Sequence, residues 1–153
     1  MSCHYTLVGF KKTIEQAFTP KRATHQAAGL DIRSPSDYII HPKSIQLIDS
    51  GLRLYLPVNT YGRIAGRSSL ALNYFIDILG GVVDNDYTGS VKIMLANHGS
   101  EDFHIARGDK IAQIIIERVY IPKLVEIKSA KKEKSNNPEH ITRGDSGFGS
   151  TGR

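Results

Sequence analysis

Apolar positions along this chain fall in short runs that alternate with polar ones, and the period is two far more often than 3.6. Residues 5–10 are apolar and β-prone. Ile45 to Ile48 and Leu52 to Leu56 flank Asp49-Ser50-Gly51, a turn signal between two strands. In the second run Leu52, Leu54 and Leu56 share one face and Arg53 and Tyr55 the other. Val91, Ile93 and Leu95 alternate with Lys92, Met94 and Ala96. Ile111 to Tyr120 is longer, and its Ile114-Ile115-Ile116 centre is too apolar for a strand wetted on one side, so both faces are expected to be covered. Turn residues recur between the runs, a spacing that predicts an all-β sandwich or barrel. One stretch departs from it. Ser68 to Asn73 carries helix formers and predicts a turn or two of helix capped by serine.

Residues 129–142 are polar, charged and interrupted by Pro138, which reads as a linker between a β domain over 1–128 and a glycine-rich arm over 143–153. Glycine composition predicts a flexible arm. Within it the lone aromatic Phe148, the guanidinium of Arg143 and the hydroxyls of Ser150 and Thr151 have no folding reason to be there, and they suit a phosphorylated ligand carrying a flat ring.

At 153 residues the chain can bury one core, and 40% hydrophobic with 23% charged residues is ordinary for a globular protein. The net charge of +5 is compatible with anionic ligands. Part of that excess is the cluster Lys128, Lys131, Lys132 and Lys134, which lies in polar sequence without interleaved aromatics, so no nucleic-acid partner is expected. Cys3 is the only cysteine, which excludes an intrachain disulfide and a cysteine-based zinc site. With no signal-like start and no long apolar run, the expectation is a soluble intracellular protein without a membrane partner, cytoplasm and nucleus undistinguished.

Several motifs fail on context. Gly147 to Gly152 spells G-x-G-x-x-G, but no strand precedes it and only Arg153 follows. Asp84 to Gly89 begins like a calcium loop, yet its twelfth position is Leu95. Arg-Gly-Asp occurs at Arg107 and Arg143, where adhesion use would need an extracellular protein. The six histidines show no metal-ligand spacing.

Five segments remain: Ala28 to Ile32, Gly66 to Ala71, Gly81 to Gly89, Arg107 to Gln113, and Arg143 to Gly152. In this order and spacing they resemble the five motifs of the trimeric dUTPases (deoxyuridine triphosphate nucleotidohydrolases), from about Gly29 onward. The resemblance implies a jelly-roll-like β subunit with one short helix. It implies a homotrimer with three sites shared among the chains, and Mg²⁺-dependent hydrolysis of dUTP to dUMP and pyrophosphate. By the same resemblance, Asp84 is the general base for a water attacking the α-phosphorus, and Asp86 supports its turn. Tyr87 packs under the deoxyribose and excludes a 2′-hydroxyl. Gly81 and Lys92 offer main-chain groups to uracil, although Lys92 stands where a smaller residue is expected. Arg67, Ser68 and Ser69 bind phosphates, with Ser69 replacing a usual glycine and Gly66 a usual proline. Gln113 contacts phosphates or the metal's water shell, and Asp31 holds that shell through water. In the arm Phe148 stacks on uracil, Arg143 holds the terminal phosphates, and Gly149, Ser150 and Thr151 complete the closure. Taken singly, each residue has an ordinary structural role: Asp84 as a turn aspartate, Tyr87 as a strand aromatic, Arg67-Ser68 as a surface arginine with a helix cap. Two other functions suit such a pocket, a dCTP deaminase-like enzyme and a nucleotide-binding regulatory module without catalysis.

Overall fold

The computed structural model describes residues 7–127. Among them eleven strands and one helix follow in the order β1 (Gly9–Lys12), β2 (Leu30–Arg33), β3 (Tyr38–Ile40), β4 (Ile45–Asp49), β5 (Leu52–Tyr55), β6 (Thr60–Ala65), α1 (Ser68–Tyr74), β7 (Ile76–Leu79), β8 (Val82–Val83), β9 (Lys92–Asn97), β10 (Phe103–Ile105) and β11 (Lys110–Arg118). These strands pair antiparallel, in sheets ordered β2-β11-β6-β8, β4-β9-β7, β1-β5 and β10-β3. The mostly β class read from the periodicity is therefore observed. One compact unit ends at Ile121, and the described residues after it, 122–127, lie outside that unit. No helix among the described residues is long and apolar enough to cross a membrane.

The alternation explains the core. Leu52 and Leu54 are buried while Tyr55 is exposed, and Val91, Ile93 and Leu95 are buried while Lys92 and Met94 are exposed. Ala96, expected on the outer face, is buried as well. Ile32 and Ile114 from the four-stranded sheet join Ile48, Ile93 and Leu95 from the three-stranded one in a single apolar cluster. Full burial of such a side chain is worth about 1.5–3 kcal/mol. β11 lies between β2 and β6, with Ile114 fully buried but Ile115 and Ile116 only half-buried, so its second face is less covered than its composition predicts. Buried Asn97 closes the end of the core. Its Nδ2 donates to the carbonyls of Ile40 (2.9 Å) and Glu101 (2.8 Å), and its Oδ1 accepts from Gly99 N–H (2.8 Å). These bonds satisfy an amide that would otherwise cost about 1–3 kcal/mol to bury.

The helix starts differently from expectation. Arg67, extended at φ −105° and ψ 128°, occupies the N-cap without a side-chain cap bond, and Ser68 is the first helical residue. Serine at 68 is therefore not a cap. The guanidinium of Arg67 is instead drawn across to β2 and β11.

Candidate active site

Two groups of expected site residues lie at opposite ends of β6. At the Ala65 end, Gln113 of β11 sits opposite both Ala65 of β6 and Asp31 of β2. The register of β2 and β11 shifts between Lys110 and Ala112, and Lys110 Nζ lies 2.6 Å from Asp31 Oδ2. A bulge of this kind re-aims a side chain. Arg67 Nε lies 3.7 Å from Asp31 Oδ1, and Arg67 Nη1 donates to the Lys110 carbonyl at 3.1 Å. Gln113 Nε2 donates to the Gly66 carbonyl at 3.0 Å, which ties β11 to the segment leading into α1. Gly29 makes room for that glutamine, since a Cβ there would come within 2.9 Å of Gln113 Cβ.

Two cations face one carboxylate, Asp31, whose side chain is 13% exposed. Arg67 and Lys110 also line a cavity of about 390 Å³, whose wall carries Asp102 and Asp109 as well as Leu70 and Tyr74. The guanidinium of Arg67 and the ammonium of Lys110 are donors of the kind that form charge-assisted hydrogen bonds to an anion. Lys110 falls within one of the five segments but carries no expected role there, because its position over Asp31 depends on the bulge. Ser68 and Ser69, both exposed, open the helix beside it.

At the other end of β6, Val83 of β8 is opposite Gly62, so the next residue, Asp84, continues toward Tyr61. Asp84 is exposed, and its carbonyl accepts from Tyr87 N–H at 3.1 Å to close a turn. A cavity of about 740 Å³ is lined by Asp84, Asn85, Asp86, Tyr61, Thr60 and Val82. The turn is anchored by Asn85, whose Nδ2 donates to the carbonyls of Leu56 (3.1 Å) and Pro57 (2.7 Å). That is the support expected of Asp86. Tyr61 is fixed in the cavity wall by Glu117, which accepts from the Tyr61 hydroxyl at 2.6 Å and from Arg63 Nε at 2.8 Å. Arg63 and then Tyr61 hold the Glu117 carboxyl below its usual range, and the hydrogen bond to Glu117 raises Tyr61.

Between the two ends the chain changes sheets. β7 runs beside β9 with Leu79 opposite Met94, and continuing that register would set Gly81 opposite Lys92. The strand leaves the ladder there instead. Gly80 (φ +73°) and Gly81 (φ +96°) take conformations open mainly to glycine, and the Gly81 carbonyl accepts from Ile64 N–H at 2.8 Å on β6. A Cβ on Gly81 would also lie 2.9 Å from the Ile64 carbonyl. The β7–β9 ladder therefore ends at Leu79 and Met94, while Lys92 pairs with Asp49 of β4 on its other side. The Lys92 side chain is exposed. Tyr87 stands at the far side of the turn, 43% exposed. Arg143, Phe148, Gly149, Ser150 and Thr151 lie outside the described residues.

An antiparallel β domain that carries Arg67 and Lys110 at one end of β6 and the exposed carboxylate of Asp84 at the other has the groups a phosphorylated ligand would need. Comparison with known proteins makes the class specific. Residues 15–152 match the family model described as dUTPase. The deoxyuridine 5′-triphosphate nucleotidohydrolase of fowlpox virus is 44% identical over 141 residues, covering 92% of this chain and 94% of that protein. The Staphylococcus bacteriophage 80alpha dUTPase solved with dUPNHPP superposes with TM-score 0.84 at 21% identity, covering 97% of this chain and 100% of the other. A mutant dUTPase from phage phi11 of S. aureus, described for its coordination of a structural Mg(II) ion, gives 0.76 at 21%, covering 81% and 98%. The chain belongs to the dUTPase family and is an enzyme of the hydrolase class.

Proposed function

We propose that this chain cleaves dUTP to dUMP and pyrophosphate by in-line attack of a water on the α-phosphorus, in a site to which more than one copy of the chain contributes. Asp84 accepts the water's proton, and Tyr87 covers the sugar. The main chain at Gly81 and Lys92 reads uracil. Arg67, with Ser68 and Ser69 beside it and Lys110 close by on Asp31, holds the triphosphate. The arm brings Phe148 onto the base, with Arg143, Gly149, Ser150 and Thr151 over the phosphates.

The shared site is what membership of the family implies, and the separation along β6 is consistent with it. Tyr61 and Ala65 are four residues apart, which at the rise of an extended strand is about 13 Å. Asp84 stands beside the first and the Arg67 cluster beyond the second. A site combining Asp84 of one copy with Arg67 of another resolves that separation, and three copies of a jelly-roll-like subunit close it symmetrically.

Mg²⁺ fits this donor set as an ion held by the triphosphate. Asp31 already faces Lys110 and Arg67, so its carboxylate suits a hydrogen bond to coordinated water better than direct ligation, with Gln113 beside it. Among the described residues no group of three His, Cys, Asp or Glu could hold a metal. When bound, the ion neutralises phosphate charge.

Pyrophosphate release from dUTP, UTP, dTTP and dCTP, each with Mg²⁺ and with chelator, tests the reading. Rapid turnover of dUTP alone, lost on chelation, is expected. UTP turnover within about threefold of dUTP would remove the sugar argument, since a steric exclusion should discriminate by at least about a hundredfold. Ammonia release from dCTP would favour the deaminase alternative.

A further inference from the structure

Tyr87 has to be held in place to exclude a 2′-hydroxyl, and its ring is anchored two and three residues further along the chain. The ring lies over Gly89, where a Cβ would come within 2.6 Å of Tyr87 Cζ, and the hydroxyl donates to the Ser90 carbonyl at 3.0 Å. Ser90 is therefore the ring's anchor. Its own restraint comes from a distant part of the chain. Ser90 Oγ donates to Oδ1 of Asp49, the last residue of β4, and the same oxygen accepts from Gly51 N–H at 2.8 Å. The carboxylate thus links the β4–β5 turn to the residue that takes the tyrosine's hydrogen bond.

We propose that Asp49 is a positioning residue for substrate discrimination, acting through Ser90 to fix the Tyr87 ring against the sugar. The inference rests on the placing of Tyr87 under the deoxyribose, and it deepens that reading. Neighbouring bonds separate this role from a purely structural one. Val91 is stitched to the same turn without Asp49: its carbonyl accepts from Ser50 N–H (3.0 Å) and Ser50 Oγ (2.6 Å), and its N–H donates to the Leu52 carbonyl (2.7 Å). Those bonds keep β4, β5 and β9 together when Asp49 is truncated. What is lost is the restraint on Ser90, one residue nearer the tyrosine. Asparagine at 49 keeps an acceptor oxygen for both donors, so it should retain the link.

The test compares kcat/KM for dUTP and UTP, by pyrophosphate release, in the full-length wild type and in Asp49→Ala, Asp49→Asn, Ser90→Ala, the Asp49→Ala/Ser90→Ala double variant and Tyr87→Ala. Asp49→Ala and Ser90→Ala should each lower the dUTP/UTP ratio about tenfold, and the double variant no further, because both remove one link. Asp49→Asn should restore the ratio to within about twofold of wild type. A structural role would lower turnover of both nucleotides equally and leave the ratio unchanged, and that result overturns the proposal. If Asp49→Ala fails to fold, Ser90→Ala decides alone. Tyr87→Ala separates the two levels: a collapsed ratio there beside unchanged Asp49 and Ser90 variants removes the relay and leaves the tyrosine's role standing. An unchanged ratio in Tyr87→Ala removes both.

Discussion

Asp84→Asn is expected to reduce kcat for dUTP by about a thousandfold while leaving substrate affinity within about threefold of wild type, since general-base catalysis contributes about 10²–10⁴. The substitution is nearly isosteric and takes away only the capacity to accept a proton. The fold should not notice it. Asp84 is exposed, the turn bond it makes runs through its main-chain carbonyl, and Asn85 supplies the side-chain anchor. Nor does it belong to the cationic cluster around Arg67 and Lys110, to which triphosphate binding is assigned. Steady-state pyrophosphate release together with calorimetric titration of a non-hydrolysable dUTP analogue measures the two quantities separately. A loss of less than about tenfold in kcat would move the base to another residue.

The second large effect concerns the arm. A chain ending at Thr142 should keep its thermal midpoint and its oligomeric mass but lose at least about a hundredfold in kcat/KM, the scale on which misplaced or unclosed substrate costs rate. The reasoning is one of chemistry and of location. Among the described residues the apolar cluster runs from Ala17 to Ile116 and is complete in itself as a core for the β domain. The arm carries the only groups proposed to touch both ends of the substrate, Phe148 at the base and Arg143, Ser150 and Thr151 at the phosphates. Closing it would exclude water and complete the donor set around the developing charge. Light scattering and thermal melts beside the turnover assay distinguish a catalytic loss from a failure to assemble. Full activity in the truncated chain would remove the arm from the site.

Short-range periodicity made the long strands legible. The alternation of Leu52 to Leu56 and of Val91 to Leu95, and the turn at Gly51, emerge in the structure as read, because one covered face dictates which side chains point inward. β2, β3, β7, β8 and β10 run to only two to four residues; β5, also four, is legible because Leu56 carries its alternation to a fifth position. β6 was hidden for another reason: Gly62 and Arg63 interrupt its apolar pattern, and the missing side chain at 62 makes room for Ile114. The candidate site divides the same way. Residues whose chemistry shows in their own segment, Asp84, Tyr87, Arg67 and Gln113, could be named from sequence. Lys110 could not, since it reaches Asp31 by way of a bulge. Asp49 could not, since its partner Ser90 is 41 residues away. Asn85 could not, since its bonds to the carbonyls of Leu56 and Pro57 span 29 and 28 residues. The division of the site between the two ends of β6 is a property of strand register, which no single motif contains.

That division is the centre of the account, and subunit mixing tests it most directly. Asp84→Asn and Arg67→Ala chains should each be nearly inactive on dUTP when assembled alone. Unfolded together in equal amounts and refolded, they should recover activity in about a quarter of the sites, those that join an intact Asp84 from one copy to an intact Arg67 from another. No recovery above the sum of the two separate preparations, in mixed oligomers confirmed by mass, would place both residues in a site belonging to a single chain and contradict the account.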